Sequence, residues 1–270
     1  MFDSGVGGLT VLRELRRQLP SERLVYIADL ARFPYGTQDI ADVRRRALDV
    51  VDHLVTRDTK LVVIACNSAT AAALNAARER FDIPIVGVIA PGAQAAAAAT
   101  RNGRVAVIST QATLSSQEYV HAIKEANPGI TVLGIAAPEL VDIVEEGDAD
   151  SRRADDALEA ILAGVFTWDA DTLVLGCTHY PLLSAALRRT IGKRRLRVID
   201  SAATTASRVG RVIATNRLGA GHAHNAPTEV LVTAAPRRFM EAAAQLFGER
   251  PAEPRVVTIG APDLAAVAAP

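Results

Sequence analysis

Seven short apolar runs, rich in β-branched residues, constrain the fold of this chain more than any other feature of its sequence. They are LVYIAD at 24–29, LVVIAC at 61–66, IVGVI at 85–89, VAVIST at 105–110, TVLGIA at 131–136, TLVLGC at 172–177 and RVIDS at 197–201. Runs of this length are typical of strands that are buried on both faces of a parallel sheet. Amphipathic segments of helical length lie between them, such as 40–55 and 155–166. Strands that alternate with helices predict an α/β protein with mainly parallel sheets, flanked by helices and joined by right-handed crossovers.

The composition limits the class of protein and its partners. With 270 residues, 49% of them hydrophobic, the chain can form one large or two ordinary domains. Its 30 basic and 30 acidic side chains cancel, so no overall field favours nucleic acid or an anionic membrane as a partner. We expect the basic runs at 44–46 and 193–195 to be solvated faces. Because neither a signal peptide nor a membrane-spanning apolar segment is evident, the sequence predicts a cytoplasmic protein with reduced cysteines.

Two further segments have a distinctive composition. The tract AQAAAAAT at 93–100 favours a helix that packs closely on a sheet. The segment LGAGHAHNAPTE at 218–229 is typical of a flexible loop. Its His222 and His224 form an HxH pair, but no third ligand lies near them in the sequence. We therefore predict a mobile surface loop and no metal site.

The chain has only two cysteines, and each follows an apolar run. A lone cysteine at such a position is usually inert core filling. Here LVVIACNSA at 61–69 and LVLGCTHY at 173–180 share one pattern, with a strand, a small residue, a cysteine and then polar residues before a helix. The pattern suggests an internal repeat in which each thiol lies near a helix N-terminus, where the helix dipole favours the thiolate. Two such thiols facing each other across a cleft suit acid/base chemistry on opposite sides of one carbon atom.

Several motifs together resemble those of the glutamate racemases, within the aspartate/glutamate racemase family. They occur in that family's order and are DSGVGG at 3–8, FPYG at 33–36, ACNSAT at 65–70, STQATLSSQEY at 109–119, VEEG at 144–147 and GCTHYP at 176–181. The resemblance implies two pseudo-symmetric α/β domains with the active site in the cleft between them. It also implies racemisation of glutamate without a cofactor, which supplies D-glutamate for peptidoglycan synthesis. We expect residues 1–91 and 206–270 to form the first domain and residues 92–205 the second.

The resemblance also assigns roles to individual residues. It implies that Cys66 and Cys177 are the two bases and that Asp3, Glu145 and His179 assist them. The implied contacts with the substrate, glutamate, are Ser4, Tyr35, Gly36, Asn67, Ser68, Thr110, Thr113 and Thr178. These motifs contain neither lysine nor arginine, so hydroxyl, amide and backbone donors would hold the substrate carboxylates.

Other interpretations remain open for single residues. DSGVGG resembles a nucleotide-binding loop, but Thr10 stands where GxGxxG needs its third glycine. Asp3 could merely cap the following helix. The pair Cys177 and His179 could belong to a thiol protease, although neighbouring positions seldom give that geometry. Glu145 lies in an acidic run and is preferred over Glu146.

Alternatives also remain for the whole chain. They are a related aspartate or hydantoin racemase with the same two thiols, a noncatalytic ligand-binding protein of the same fold, and a redox role for the cysteines. The sequence leaves the oligomeric state open, with a homodimer as one candidate. It also begins so close to DSGVGG that we expect the first strand to be nearly absent and its place in the sheet unfilled.

Overall fold

The computed structural model describes residues 1–220, 228–248, 251 and 253–260, and in them strands alternate with helices. The strands are β1 (Phe2–Asp3), β2 (Val25–Ala28), β3 (Val62–Ile64), β4 (Ile85–Gly87), β5 (Arg104–Ser109), β6 (Thr131–Ala136), β7 (Thr172–Gly176), β8 (Arg197–Asp200), β9 (Glu229–Val232) and β10 (Arg255–Val256). The α-helices are α1 (Leu9–Gln18), α2 (Ile40–Val55), α3 (Asn67–Arg80), α4 (Ile89–Ala99), α5 (Gln111–Ser116), α6 (Glu118–Ala126), α7 (Glu139–Glu145), α8 (Arg152–Thr167), α9 (Ser184–Ile191), α10 (Ser201–Thr215) and α11 (Pro236–Phe247). Short 3-10 helices cover Leu30–Arg32, Tyr35–Thr37 and Tyr180–Leu183. Every one of the seven predicted runs forms a strand, and the predicted α/β class is confirmed.

The strands form two parallel sheets. The first has the order β10-β9-β2-β1-β3-β4, and the second has the order β6-β5-β7-β8. We call each sheet with its flanking helices a lobe. The short β1 lies in the middle of the first sheet, where Phe2 pairs with Ile27 on one side and Ile64 on the other. The first strand is thus shortened, as expected, but its place in the sheet is filled, because two residues suffice when both neighbours supply hydrogen-bonding partners.

Each sheet is covered by helices on both faces. In β5, Ala106 and Ile108 pack against helices α7 to α9, whereas Val105 and Val107 pack against α4 and α6. Successive strand residues point to opposite faces, so a strand buried on both sides must be apolar throughout. This is the physical reason for the continuous apolar runs in the sequence.

Helix α2 shows how local sequence sets an element. The Asp39 side chain accepts a hydrogen bond from the Ala41 amide at 2.8 Å and caps the helix. The basic run at 44–46 lies on this helix. Arg45 is exposed as predicted, but Arg46 forms a largely buried ion pair with Asp29 at 2.7 Å. The prediction of a solvated face is therefore wrong for Arg46.

The chain crosses between the lobes twice, through α4 and through α10. These two helices pack on each other, and a Cβ on Gly92 would lie 3.1 Å from the Cβ of Ser201. The alanine-rich tract falls within α4, as predicted. The predicted domain limits at 91/92 and 205/206 fall inside these helices and stay a prediction. His222 and His224 lie outside the described residues.

Candidate active site

Both cysteines lie in the wall of one small cavity between the lobes. Cys66 follows β3 and is the N-cap of α3, and Cys177 follows β7. Both are free thiols and almost completely buried. The cavity has a volume of about 70 Å³ and is lined by Ser4, Phe33, Pro34, Tyr35, Gly36, Thr37, Cys66, Asn67, Ser68, Thr110, Pro138, Val141, Asp142, Cys177, Thr178 and His179. It opens at the carboxyl ends of the strands, where ligands bind in open α/β sheets.

The first thiol is held as a neutral group. Burial raises the pKa of Cys66 to about 12, and the nearby Asp3 carboxylate adds to this effect. The Ala69 amide in the first turn of α3 lowers the pKa, as the helix N-terminus predicts, but burial outweighs it. Cys66 donates to the Ser4 hydroxyl at 3.9 Å. The helix N-terminus thus favours the thiolate, as expected, but burial keeps Cys66 protonated in the free protein.

The protonation state of Cys66 can be measured through its alkylation by iodoacetamide, because only the thiolate attacks this reagent. In a Cys177→Ser variant, we expect slow alkylation of Cys66 at pH 7. Because the pKa is far above neutral, the rate should rise about tenfold per pH unit up to pH 10 without levelling. The unfolded variant serves as the control, since its thiol should level off near pH 9. A plateau below pH 9 in the folded variant would contradict the raised pKa.

The second thiol belongs to a chain of three side chains. The Cys177 sulfur lies 3.8 Å from His179 Nδ1, and His179 Nε2 lies 2.8 Å from Glu145 Oε1. Burial alone would lower the pKa of His179, but hydrogen bonds to Cys177 and Glu145 outweigh burial and raise it to about 10. The imidazole is thus protonated at neutral pH. Glu146 is exposed and pairs with Arg153 instead, so the structure places Glu145 in this chain, in line with the sequence-based preference.

Asp3 lies at the end of β1, beneath the cavity and completely buried. Its carboxylate accepts from the Gly5 amide at 2.8 Å and from the Thr178 hydroxyl at 3.2 Å. Burial raises the pKa of this carboxyl above its ordinary value, against the opposing effect of His179. Asp3 does not line the cavity itself. Its hydrogen bonds instead hold two parts of the cavity wall, the loop that follows Asp3 and Thr178 of the other lobe.

Most of the predicted substrate contacts reach the cavity. Ser4, Tyr35, Gly36, Asn67, Ser68, Thr110 and Thr178 line it, whereas Thr113 lies behind the wall. Thr113 bonds to Ser68 at 3.4 Å and to Thr110 at 3.1 Å, and Ser68 lies 3.0 Å from Thr110. This group of hydroxyls joins the two lobes. No lysine or arginine is among the lining residues, so the polar wall is built from hydroxyls, amides and backbone.

The hydroxyl of Tyr35 points away from the cavity, where it donates to Asp29 at 2.6 Å. Asp29 also accepts from Arg46 and from Thr233, at 2.7 Å each. Tyr35 therefore offers the cavity its ring and backbone rather than its hydroxyl. Sequence reasoning missed Asp29 and Arg46, although the aspartate at the end of the run LVYIAD was a signal.

The glycines of DSGVGG allow a close approach between the lobes. A Cβ on Gly7 would lie 2.5 Å from Thr178 Oγ1 and 2.7 Å from His179 Nδ1. A Cβ on Gly8 would lie 2.4 Å from the Asp3 Cβ. All three distances are shorter than real contacts allow, so only glycine fits at either position, Gly7 against the second lobe and Gly8 against Asp3 of its own lobe. The motif serves to bring one lobe against the residues that follow Cys177.

The described residues form neither a metal-binding cluster nor a membrane-spanning helix. No group of three or more histidine, cysteine, aspartate or glutamate side chains there is placed to hold a metal ion. None of the helices in that part of the chain combines the length and apolarity needed to cross a membrane.

The chain is similar to known racemases over most of its length. The family model for Asp/Glu/hydantoin racemases matches residues 7–209. A glutamate racemase of Geobacter metallireducens is 48% identical over 213 residues, which cover 79% of this chain and 78% of that protein. The fold matches the crystal structure of a glutamate racemase from Bacillus anthracis with a TM-score of 0.90 and 35% identity, covering 95% of this chain and 96% of the other. It also matches the glutamate racemase of Francisella tularensis solved in complex with D-glutamate, with a TM-score of 0.88, 28% identity and coverage of 95% of both chains.

These similarities confirm the resemblance found in the motifs. They agree with the geometry of the cavity, whose wall contains one thiol from each lobe. The chain therefore belongs to the Asp/Glu/hydantoin racemase family, among the glutamate racemases.

Proposed function

We propose that this racemase interconverts L- and D-glutamate, with Cys66 and Cys177 as its two acid/base groups and without a cofactor. The observation that carries the proposal is the placement of one thiol from each lobe in the wall of a single cavity. Inversion at a carbon atom needs a proton removed from one face and another delivered to the opposite face. Two groups on opposite walls can do both in one binding event.

The neighbours of the two thiols suggest the direction of each step. Cys66 carries its proton in the free protein, so it is ready to act as the acid. The Cys177 sulfur lies 3.8 Å from Nδ1 of the protonated His179, which is placed to donate a hydrogen bond to it. Cys177 would then take the α-proton of L-glutamate while Cys66 delivers its proton to the other face. After turnover the protons are exchanged, so the reverse reaction starts from D-glutamate with Cys66 as the base.

The buried carboxylates would support the thiols. Glu145 holds His179 in position and in its charged form, through the 2.8 Å contact between them. Asp3 lies on the Cys66 side, where its negative charge opposes a second anion and so keeps that thiol protonated at rest. The two thiols thus lie in different surroundings, and such a difference is how paired acid/base groups divide their roles.

The reaction also needs an anionic transition state to be stabilised. Removal of the α-proton places negative charge on a carbon next to a carboxylate, and no electron-withdrawing cofactor shares it. Hydroxyl and amide donors of the cavity, such as Ser68, Thr110 and Asn67, would bind the carboxylates and oppose this charge. Substrate bound in so small a cavity would displace its water, which would strengthen such interactions.

The direct test is circular dichroism of L-glutamate incubated with the purified protein and no added cofactor. We expect the signal to decay toward zero as the racemic mixture forms, and the rate to be unchanged by EDTA or hydroxylamine. L-Aspartate under the same conditions distinguishes a related racemase. A noncatalytic ligand-binding protein would leave the signal constant. Loss of activity on chelation, restored by zinc, would contradict the cofactor-independent mechanism.

The product defines the cellular setting that we propose. D-Glutamate would serve the synthesis of peptidoglycan, and the enzyme would work in the cytoplasm, where its two thiols stay reduced. A homodimer stays a prediction.

A further inference from the structure

The Asn67 amide in the cavity wall has a hydrogen-bonded oxygen and a nitrogen without a hydrogen-bonding partner. Its Oδ1 accepts a hydrogen bond from the Tyr119 hydroxyl at 2.8 Å. Its Nδ2 is buried and has no hydrogen-bonding partner in the protein. A buried donor without an acceptor is costly, and such groups in native proteins usually await a ligand. Since Asn67 lines the cavity, a bound carboxylate is the acceptor that fits.

Tyr119 connects the surroundings of the two cysteines. It lies in α6 of the second lobe and is almost fully buried. One edge of its ring packs against Gly176, where a Cβ would lie 3.1 Å from Tyr119 Cε2. Gly176 directly precedes Cys177, and Asn67 directly follows Cys66. The tyrosine thus contacts the residue before Cys177 with its ring and the residue after Cys66 with its hydroxyl.

The hydrogen bond with Tyr119 goes with one orientation of the Asn67 amide. Burial raises the pKa of Tyr119, so its hydroxyl keeps its proton throughout the working range. Tyr119 donates this proton to Oδ1 of Asn67, which leaves Nδ2 free for an acceptor. An amide flipped by 180° would donate from Nδ2 to the tyrosine oxygen and turn its own oxygen toward the cavity, where it would repel a carboxylate.

We infer that Tyr119 is a positioning residue for substrate binding. It fixes the Asn67 amide so that the Nδ2 donor faces the cavity and binds a carboxylate of glutamate. Because the tyrosine belongs to one lobe and the asparagine to the other, the donor is correctly oriented only when the lobes are together. The inference rests on the proposed function, and it adds a residue outside the cavity wall to the machinery.

The test is Tyr119→Phe, which removes the hydroxyl and keeps the ring. We expect the KM for both L- and D-glutamate to rise about tenfold or more, with kcat within about threefold of the wild type. A carboxylate contact made in both the ground and the transition state changes KM rather than kcat. In an Asn67→Ala background, which lacks the donor, the same substitution should raise KM no further. A merely structural role would raise KM by the same factor in both backgrounds.

Tyr180→Phe is the matched control. It also removes a buried tyrosine hydroxyl, which donates to the Ala137 carbonyl at 2.7 Å within the core of the second lobe. We expect a similar fall in melting temperature and an unchanged KM. A KM within twofold of the wild type in Tyr119→Phe, or an equal rise in both variants, would overturn the inference. Failure of the proposed function would look different, since the wild-type protein itself would then not racemise glutamate.

Discussion

Serine in place of Cys66 or of Cys177 should lower the rate of glutamate racemisation by about a thousandfold or more, in both directions. Each thiol is needed once per turnover, and a serine hydroxyl is a far weaker acid and base. The measurement is the initial rate from L-glutamate and from D-glutamate by circular dichroism. Either variant racemising at the wild-type rate would refute the two-thiol mechanism.

The same two variants reveal which face each thiol serves. A substrate analogue that loses a leaving group after α-proton removal needs only one base. Cys177→Ser should therefore still process the D-analogue through Cys66, and Cys66→Ser should process the L-analogue through Cys177. This retained half-reaction also controls for folding, because a misfolded variant would process neither. Swapped preferences would show that the faces are assigned the wrong way round.

The second large effect is expected from Gly7→Ala. The added methyl group would lie 2.5 Å from Thr178 Oγ1 and 2.7 Å from His179 Nδ1, so the lobes must move apart or His179 must shift. A displacement of about 1 Å between reacting groups can cost about a hundredfold in rate. We therefore expect kcat/KM to fall at least about a hundredfold, together with a lower melting temperature from overpacking.

Gly164→Ala is the matched control for this substitution. Gly164 lies on α8 and is exposed, and its Cβ would meet only Ile135 Cδ1 at 4.0 Å. Activity should stay at the wild-type level, and stability should rise by about 0.5–1 kcal/mol because alanine favours the helix. Wild-type activity and melting temperature in Gly7→Ala would show that the contact between the lobes is looser than the structure indicates.

The fold was predictable where the burial of a strand requires a continuous run of apolar residues. Strands covered by helices on both faces must be apolar along their whole length, and all seven runs with this pattern form strands. β1, β9 and β10 were not predicted. β1 and β10 have only two residues each, and β10 is exposed, whereas β9 is a four-residue buried strand that was missed. The place of β1 depends on pairing with β2 and β3, which no local pattern records.

The candidate site was predictable where residues cluster in motifs. Both cysteines and the chain from Cys177 to Glu145 come together as the motifs indicate. The protonation of Cys66 was not predictable, because the helix N-terminus is visible in the sequence whereas the depth of burial is not. The wall formed by Pro138, Val141 and Asp142 was missed for a similar reason. Their contact with the cavity depends on how the second lobe sits on the first.

The packing of α4 against α10 makes the second lobe a single insertion whose two ends meet. The chain leaves the first sheet through one of these helices and returns through its neighbour. Such an insertion can be exchanged as a module without rerouting the rest of the chain. One thiol, the histidine and its carboxylate would travel with it, while the other thiol and Asp3 would stay. The site is thus divided between two parts of the chain, each of which can be exchanged without the other.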